Sequence, residues 1–244
     1  TLLEKDPLRD EHVFKGKVEF EIQLAETTYQ LTLADENAKA NVNQMIDATQ
    51  TQTVSSQPIQ RLLQDMQVRD IPAIQIQPYV WENATNSQAI QTLGQVFENV
   101  NPSQLVAFES IDPVVLDVLT CWGDGKLNLH SASPHAIKAV CLKQMTRGEI
   151  DKLIRARDAN PRITLDAALT SAGVDKKKLG KIKVLFTEKT TCVSLWTRWE
   201  TDRRTRYRLA VATQQASPKS TNQSTKQSPS QPQHVKLDSL IFEW

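Results

Sequence analysis

Cysteine is scarce in this 244-residue chain, and the spacing of its thiols excludes two kinds of scaffold. Cys121, Cys141 and Cys192 are the only three, and none belongs to a Cys-x-x-Cys pair. A structural zinc site would need distant histidines, and a framework of several disulfides is impossible. Two alternatives stay open, one disulfide with one free thiol or three buried thiols. The second is favoured because free cysteine is usually buried.

Long apolar runs are missing, and the charges nearly cancel. No segment approaches the ~20 apolar residues that cross a bilayer, and no hydrophobic signal-peptide region is present. The chain begins at Thr1 without an initiator Met, so we interpret it as a trimmed product and consider a membrane anchor as the removed part. With 29 basic against 28 acidic residues, nucleic acid or anionic lipid would have to bind through a local patch.

Common catalytic motifs are absent as well. The sequence contains no Gly-x-Ser-x-Gly, His-Glu-x-x-His, Walker loop or Gly-x-Gly-x-x-Gly. An enzyme is therefore not expected, although a triad assembled from distant residues stays open. The histidines are scattered: His12, His130, His135 and His234.

Alternating polar and apolar residues predict strands at both ends of the chain. The first run keeps its apolar residues on one face, which predicts a half-buried strand that forms a hairpin with the second run. The predicted strands are 17–24 and 29–33, and then 193–199, 207–211 and 235–244.

A polar segment, 213–234, separates the last two predicted strands. It consists almost entirely of Ser, Gln, Thr, Pro, Asn and Lys. With little to bury, it is predicted to be disordered and dispensable for folding. Because a strand follows it, we interpret it as an insertion in a hairpin and not as a tail.

Helical spacing dominates the middle of the chain. One helix is predicted after Pro58, a second from about Asn86, and a third from Asp112 and Pro113. Their apolar stripes are Ile59, Leu62, Leu63 and Met66; Ile90, Leu93 and Phe97; and Val115, Leu116 and Leu119.

The clearest helix boundaries lie between 128 and 173. A cap followed by proline opens one helix, a capping box opens the next, and a proline ends it. Residues 128–160 are therefore predicted to form a helical hairpin, followed by a short helix between a threonine cap and a glycine. The residues concerned are Ser133, Pro134, Thr146 with Glu149, Pro161, Thr164 and Gly173.

These patterns together predict an α+β fold. Because each group of strands is too small to be stable alone, the two should combine into one antiparallel sheet. The predicted organisation is a first part of the sheet domain at 1–36, an inserted all-α domain at 37–181 that contains the helix-hairpin-helix, and a second part of the sheet domain at 182–244.

Two segments resemble a known family. Leu33–Asn43 is similar to the "DE-x-GK-x-N-x-N" passage of general secretion pathway protein K, and Asp124–Pro134 to that family's "GK-x-N-x-NTAP" passage before a helix-hairpin-helix. Leu2–Asp6 is similar to the end of that family's long N-terminal helix. The closing run through Trp199 and Tyr207–Leu209 to Trp244 resembles the family's final sheet. The resemblance implies a pseudopilin-like sheet with a large helical insert and a missing N-terminal transmembrane helix.

The same resemblance implies a function. It identifies the chain as a non-enzymatic minor pseudopilin of a type II secretion system, which is the periplasmic part of a protein anchored in the inner membrane. Its implied partners are the I-type and J-type minor pseudopilins at the pseudopilus tip, where the subunit supports protein export. No small-molecule substrate is implied.

The sequence departs from the family in two places. Ala38 stands where the first motif has glycine, which puts a left-handed turn there in question. Family members can bind calcium through an acidic stretch in the insert, but this chain has Ile71–Gln75 and Asn83–Thr85 instead. Calcium is therefore not expected, and no other cofactor is predicted.

The helical hairpin also allows an alternative, a nucleic-acid-binding helix-hairpin-helix protein. Such modules meet a phosphate with the amides of a Gly-x-Gly turn. Here the turn has one glycine and Glu149, which would repel phosphate. The basic candidates on this alternative are Lys126, Lys143, Arg147 and Lys152.

Three other charged groups are interpreted as structural. The lysines of 176–183 are expected at a helix end, and the arginines of 203–208 at an exposed turn. Asp35 and Glu36 suit a cation, but a turn at the end of a strand needs such residues anyway.

Overall fold

The computed structural model of the chain describes residues 16–45, 57–66, 73–74, 90, 93–97, 115–201, 204–214 and 237–243. Two turns of 3-10 helix lie at Glu36–Ala38 and Leu93–Gln95. The strands are β1 Lys17–Leu24, β2 Thr27–Asp35, β3 Ala40–Asn41, β4 Leu119–Thr120, β5 Leu127–Asn128, β6 Phe186–Thr187, β7 Cys192–Thr201, β8 Arg204–Gln214 and β9 Leu237–Glu243. The helices are α1 Val42–Met45, α2 Gln57–Asp65, α3 Val115–Val118, α4 Pro134–Cys141, α5 Arg147–Ala159, α6 Leu165–Ser171 and α7 Lys176–Lys183.

The first two strands and the last three form one antiparallel sheet in the order β1-β2-β7-β8-β9. Strands β2 and β7 are far apart in sequence but pair with each other, with Leu33 opposite Leu195. The prediction that strands from both ends of the chain share one sheet is confirmed. The predicted α+β fold class is confirmed as well. The inserted all-α domain, its boundaries at 37 and 181, and the helix-hairpin-helix stay predictions.

The two faces of this sheet differ in burial. On one face Cys192, Ser194 and Trp196 of β7 are buried, together with Leu209 and Val211 of β8. This face belongs to the hydrophobic core, which continues through the helices. The opposite face of β7 is only half-buried.

Strand β1 is exposed, although its alternation predicts a half-buried strand. It forms the N-terminal hairpin as predicted, but it lies at the edge of the sheet. Its side chains Phe20, Ile22 and Leu24 are 44%, 38% and 58% exposed. Alternation predicts which residues share a face, but burial depends on what lies opposite that face.

The helix caps predicted between 128 and 173 are confirmed. The Ser133 side chain accepts a hydrogen bond from the Ala136 amide at the start of α4, with Pro134 in the first turn. Helix α6 starts at the Thr164 cap, and Gly173, with φ of +76°, follows its end.

Helix α5 begins with the predicted capping box. The Thr146 hydroxyl accepts from the Glu149 amide at 3.3 Å, and the Glu149 carboxylate accepts from the Thr146 amide at 2.7 Å. The helix ends at Ala159, two residues before Pro161, as predicted. Both local signals act within one turn, so they are readable without knowledge of the rest of the fold.

Of two further predicted helices, one is wrong within the described residues and the other is shorter than predicted. Near Asn86, the described part is a 3-10 turn at Leu93–Gln95, and Phe97 forms an isolated antiparallel bridge with Ile74. After Pro113, helix α3 makes one turn before the chain extends into β4. The helix at Pro58 is confirmed, with Ile59, Leu62 and Leu63 buried.

The lysine-rich segment agrees with its prediction only in part, since Lys181 and Lys183 alone lie in the last turn of a helix. It forms helix α7, capped by the Asp175 side chain, which accepts from the Lys177 amide. Lys176, Lys177 and Lys178 therefore occupy the first turn, where the helix dipole disfavours cations. The buried Ile182 fixes this helix despite that cost.

The C-terminal strands form a hairpin with β8 and β9 antiparallel, as predicted. Strand β8 continues through Thr213 to Gln214, so the polar segment begins later than the predicted 213, and Gln214 lies opposite Leu237. Residues 215–236, on which the prediction of disorder falls, lie outside the described residues. The arginines at 204, 206 and 208 lie within β8 and not in a turn.

Within the described part of the chain, no helix combines the length and the apolar character needed to cross a bilayer.

Candidate functional site

Two short parallel strand pairs bring the family-like segments beside each other. Strand β3 pairs with β4, with Ala40 opposite Leu119, and β5 pairs with β6, with Leu127 opposite Phe186. The segment 35–43 thus lies against 119–131 and against the start of β7. Buried and half-buried polar side chains fill this junction. We call it the polar junction; it comprises the polar residues of 35–43 together with Asn128, Ser131, Thr190, Thr191 and Ser194.

Asp35 is the acceptor at its centre, and it is buried. Its Oδ1 accepts from the Asn37 amide at 2.9 Å. Its Oδ2 accepts from Ser131 Oγ at 2.6 Å, Thr190 Oγ1 at 2.8 Å and Asn128 Nδ2 at 2.9 Å. A buried carboxylate with this many donors is well compensated for its lost hydration, and it fixes three segments in one position.

Asn37 connects the same segments through its amide. Its Nδ2 donates to Asp124 Oδ1 at 3.2 Å and to the Lys126 carbonyl at 2.9 Å. Its Oδ1 accepts from the amides of Thr191, at 2.8 Å, and Cys192, at 3.0 Å. Both functions of one amide group are therefore used to hold a loop and the first residue of β7.

Asn41 and Asn43 repeat this pattern on the other side. Asn41 Nδ2 donates to the Trp122 carbonyl at 2.8 Å. Asn43 Nδ2 donates to the carbonyls of Cys121, at 3.2 Å, and Ile90, at 3.0 Å, and its Oδ1 accepts from the Ile90 amide at 2.8 Å. The asparagines of the first motif thus satisfy backbone groups that no regular ladder pairs.

Glu36 and Lys39 form a buried ion pair beside them. Lys39 Nζ lies 2.6 Å from Glu36 Oε1, and the exposed fractions of the two side chains are 6% and 0%. Ser194 Oγ donates to the same oxygen. Removal of either partner of the Glu36–Lys39 pair would leave the other charge buried without its counter-ion.

Gly125 explains why the second motif contains glycine. Its φ is +77°, a conformation that side-chain-bearing residues rarely adopt, and an added Cβ would lie 2.6 Å from Gln44 Nε2. Ala38 needs no such freedom, because Ala25 is the only described non-glycine residue with positive φ. The chain at Ala38 therefore forms an ordinary 3-10 turn, which does not require the glycine of the family motif.

All three cysteines are free and buried, which agrees with the favoured alternative. Burial, and then the Glu36 carboxylate, raise the pKa of Cys121. Burial raises the pKa of Cys141 to about 12 and, as the main cause, that of Cys192 to about 11. These thiols are protonated at neutral pH and are therefore poor nucleophiles and metal ligands.

The polar junction offers little to a metal ion. The Asp35 oxygens and one Glu36 oxygen are occupied by donors of the protein itself. Among the described residues, no three His, Cys, Asp or Glu side chains are grouped to hold a metal. The segments 71–75 and 83–85, which stand where the family has its acidic stretch, contain no carboxylate and lie mostly outside the described residues. The expectation of no calcium stays a prediction.

Comparison with known proteins gives a structural likeness. The chain matches no protein-family model and no curated protein. It is similar to a chain of the GspK-GspI-GspJ complex from the enterotoxigenic Escherichia coli Type 2 Secretion System. The TM-score is 0.48 and the identity is 12%, over 93% of this chain and 84% of that chain. At these values neither the function nor the partners of that complex transfer to this chain.

The four basic residues of the nucleic-acid alternative lie in different surroundings. Lys126 is half-exposed and 3.7 Å from Asp124. Lys143 lies between α4 and α5, whereas Arg147 and Lys152 are exposed on α5. Five residues on a helix correspond to about 140° of rotation, so these last two point in different directions. This alternative stays a prediction.

The start of helix α5, at the hairpin turn, already holds a carboxylate of the protein itself, that of Glu149. Hydrogen bonds from the Thr146 amide and hydroxyl lower the pKa of Glu149, and Lys178 and Lys152 contribute further. A carboxylate therefore sits where a phosphate would meet the start of α5.

Several residues of the polar junction carry no signal in the sequence. Ser131, Thr190, Thr191 and Ser194 look like ordinary turn and strand residues, and only the strand pairing brings them to Asp35 and Asn37. Arg157 is also buried, and it donates to the Ala132 carbonyl and pairs with Asp158 at 2.7 Å. Asp35 and Glu36, by contrast, lie at the end of a strand, as their residue types indicate.

Proposed function

We propose that this chain is the periplasmic part of a minor pseudopilin of the K type in a type II secretion system. In this proposal it is a non-enzymatic subunit, anchored in the inner membrane by an N-terminal helix that precedes the sequence. It assembles with I-type and J-type minor pseudopilins at the pseudopilus tip and supports protein export.

One observation carries the proposal. The two segments that resemble the family, 33–43 and 124–134, are far apart in sequence but meet in the polar junction. There they connect the antiparallel sheet to the helical segment through buried asparagines and one aspartate. Residues shared with a family for this structural reason favour a shared architecture, and a reaction centre is not needed to explain them.

Co-purification tests the assembly. The tagged chain is mixed with I-type and J-type pseudopilins from the same genome, with an unrelated periplasmic protein as the control bait. We expect a complex with at least one of them. Absence of binding to both at ~100 μM, a generous limit for a weak interface, would contradict the proposal.

The gene tests the anchor independently. Codons upstream of Thr1 for a basic stretch and then ~20 apolar residues would agree with a pseudopilin. An upstream sequence without such a run would contradict the proposed localisation.

The nucleic-acid alternative makes a different prediction. Binding through Lys126, Lys143, Arg147 and Lys152 would weaken steeply as salt rises, because phosphate contacts release counterions. A duplex titration at two salt concentrations separates the two functions. Absent or salt-insensitive binding removes the alternative.

A further inference from the structure

The half-exposed face of the sheet has an ordered arrangement of side chains across four strands. Ile22 lies opposite Tyr29, Tyr29 opposite Trp199, and Trp199 opposite Arg206. The next row runs from Phe20 through Leu31 and Thr197 to Arg208. We call this surface the arginine-flanked face; it comprises Phe20, Ile22, Leu24, Tyr29, Leu31, Trp199, Arg204, Arg206 and Arg208.

The apolar half of this face is not part of the core. Phe20, Ile22 and Leu24 are more exposed than most large apolar side chains, at 44%, 38% and 58%. None of the apolar residues of this face belongs to the hydrophobic cluster of the described residues or packs against it. Tyr29 and Trp199 contact each other, with ring centroids 5.9 Å apart. Contiguous exposed apolar surface of this kind marks an interaction site.

The arginines give one side of the face a positive charge. Arg204 and Arg206 are exposed, and β9 pairs with β8 only from Arg208 onward, so these two lie beyond its end. Glu243 of β9 lies opposite Arg208, whereas among the described residues the rows that end at Arg204 and Arg206 carry no carboxylate on this face. Aromatic residues beside arginine are the types that dominate binding energy at protein interfaces. A complementary partner is therefore acidic along one side.

The dimensions fit a helix. Three strands at ~4.8 Å spacing give a width of about 10 Å, close to the diameter of one α-helix. The apolar side chains of β1, from Phe20 to Leu24, span about 13 Å, which corresponds to roughly nine helical residues, so a helix of about 14 residues covers them. Strands β2 and β7 are paired on both sides, so the middle of this face offers side chains and not backbone groups.

We propose that the arginine-flanked face is a docking surface for an amphipathic helix of a partner protein. The apolar stripe of that helix lies on β1 and β2, and its carboxylates reach Arg204 and Arg206. The inference rests on the proposed function for the presence of partner subunits, and it adds which surface binds and what chemistry it selects.

A peptide pair tests the surface without any natural partner. The probe is a 14-residue helical peptide with a leucine stripe flanked by glutamates, and the matched peptide has lysines at those positions. Fluorescence anisotropy should show binding of the glutamate peptide at about 100 μM, at least about tenfold tighter than the lysine peptide and weaker as salt rises. Equal binding of both peptides, or of neither, overturns the proposal.

Two double variants locate the binding. Phe20→Thr with Ile22→Thr removes the exposed apolar side chains and keeps strand propensity, whereas Arg204→Glu with Arg206→Glu reverses the charge. Each should weaken binding of the glutamate peptide at least about tenfold. The charge reversal should also strengthen binding of the lysine peptide. The matched controls, Val184→Thr and Lys177→Glu, change exposed residues on helix α7 and its cap and should have no effect. Circular dichroism establishes that each variant is folded.

Other occupants give distinct results. If the apolar variant converts a dimer of the wild-type chain to a monomer in sedimentation, the occupant is a second copy and the proposed partner is wrong. If both variants abolish co-sedimentation with phosphatidylserine vesicles while neither peptide binds, the face meets lipid and the proposal fails. Failure to co-purify with I-type and J-type pseudopilins, with peptide binding intact, would overturn only the proposed function.

Discussion

At the scale of single residues, Asn37 has the most demanding position in the molecule. Its side chain is the acceptor for two buried amides at the start of β7 and a donor to the loop at 124–126. Asn37→Ala leaves these groups without partners, at about 1–3 kcal/mol for each buried group. We expect a loss of roughly 3 kcal/mol in the free energy of unfolding and a fall of about 5–12 °C in Tm, measured by circular dichroism.

A matched asparagine supplies the control. Asn160 is exposed at the end of α5, where its side chain accepts from the Arg162 amide. Asn160→Ala should cost less than about 1 kcal/mol, as for an exposed cap. Equal losses in the two variants would show that the polar junction contributes nothing beyond ordinary turn hydrogen bonds.

The buried thiols have a pH dependence with a defined sign. Folding raises the pKa of Cys141 to about 12 and that of Cys192 to about 11, compared with about 8.5 in an unfolded chain. Their contribution to stability is complete below the unfolded pKa and is lost as pH rises toward the folded values. The native protein should therefore lose stability above about pH 8.5, measured by urea unfolding at increasing pH.

Thiol reactivity gives a second measurement of the same burial. The native chain at neutral pH should react negligibly with a thiol reagent, whereas the denaturant-unfolded chain should release the signal of three thiols. Rapid reaction of even one thiol in the native state would contradict the buried positions.

At the scale of elements, the capping box of α5 predicts a small acid-sensitive term. The Thr146 amide stabilises the charged form of Glu149, so the pKa of Glu149 in the folded chain is lowered. This contribution is present above the unfolded pKa of about 4.3 and is lost as pH falls through the folded value. Glu149→Gln should therefore cost about 0.3–1 kcal/mol at pH 7, an amount limited by solvent screening at this exposed site.

Urea unfolding at two pH values checks this term. The difference between Glu149→Gln and wild type should shrink as pH falls through the folded pKa of Glu149, because both side chains are then neutral. Glu21→Gln, a substitution of an exposed strand residue outside the box, serves as the control at the same pH values. A difference that persists unchanged in acid would mean that packing, and not the carboxylate charge, causes the effect.

Local signals made the elements around 133–173 predictable, because caps and prolines act within one turn. Strand alternation likewise predicted the N-terminal hairpin and the C-terminal strands. The exposure of β1 was not predictable, since alternation does not reveal what covers a face. Helix α7 was not predicted as a separate helix. Most of its residues are lysines, and Ile182 is its only buried residue, so its sequence shows no clear apolar stripe.

The polar junction was only partly predictable for the same physical reason. Its asparagines and Asp35 lie in segments that the resemblance had singled out, but the contacts between these segments span about 90 to 155 residues. Pairing over such distances depends on strand register, which no local pattern of Thr190 or Ser194 contains.

At the scale of the whole molecule, the segment between β8 and β9 should be removable. Gln214 and Leu237 lie opposite each other in the sheet, so a short turn can join them directly. Closure entropy grows only with the logarithm of loop length, so a shorter loop costs nothing. Replacement of 215–236 by a short Gly-Ser turn should leave Tm unchanged or raise it slightly.

The measurement is a thermal melt of the shortened chain beside wild type. A shift of less than about 5 °C downward agrees with the prediction. A larger fall would show that the removed residues pack against the rest of the protein. A scrambled sequence of the same 22 residues separates the effect of composition from that of specific contacts.

The pairing of β2 with β7 also sets the order in which the chain can fold. Tyr29 meets Trp199 across 170 residues, so the hairpin of β1 and β2 leaves the ribosome long before its neighbour in the sheet exists. At about 5–20 residues per second, the interval is roughly 8–34 s. During that time both the apolar edge of the hairpin and the carboxylates of Asp35 and Glu36 lack their native surroundings. The nascent hairpin is therefore exposed to non-native contacts throughout synthesis, and only the arrival of the C-terminal strands gives it its native neighbours.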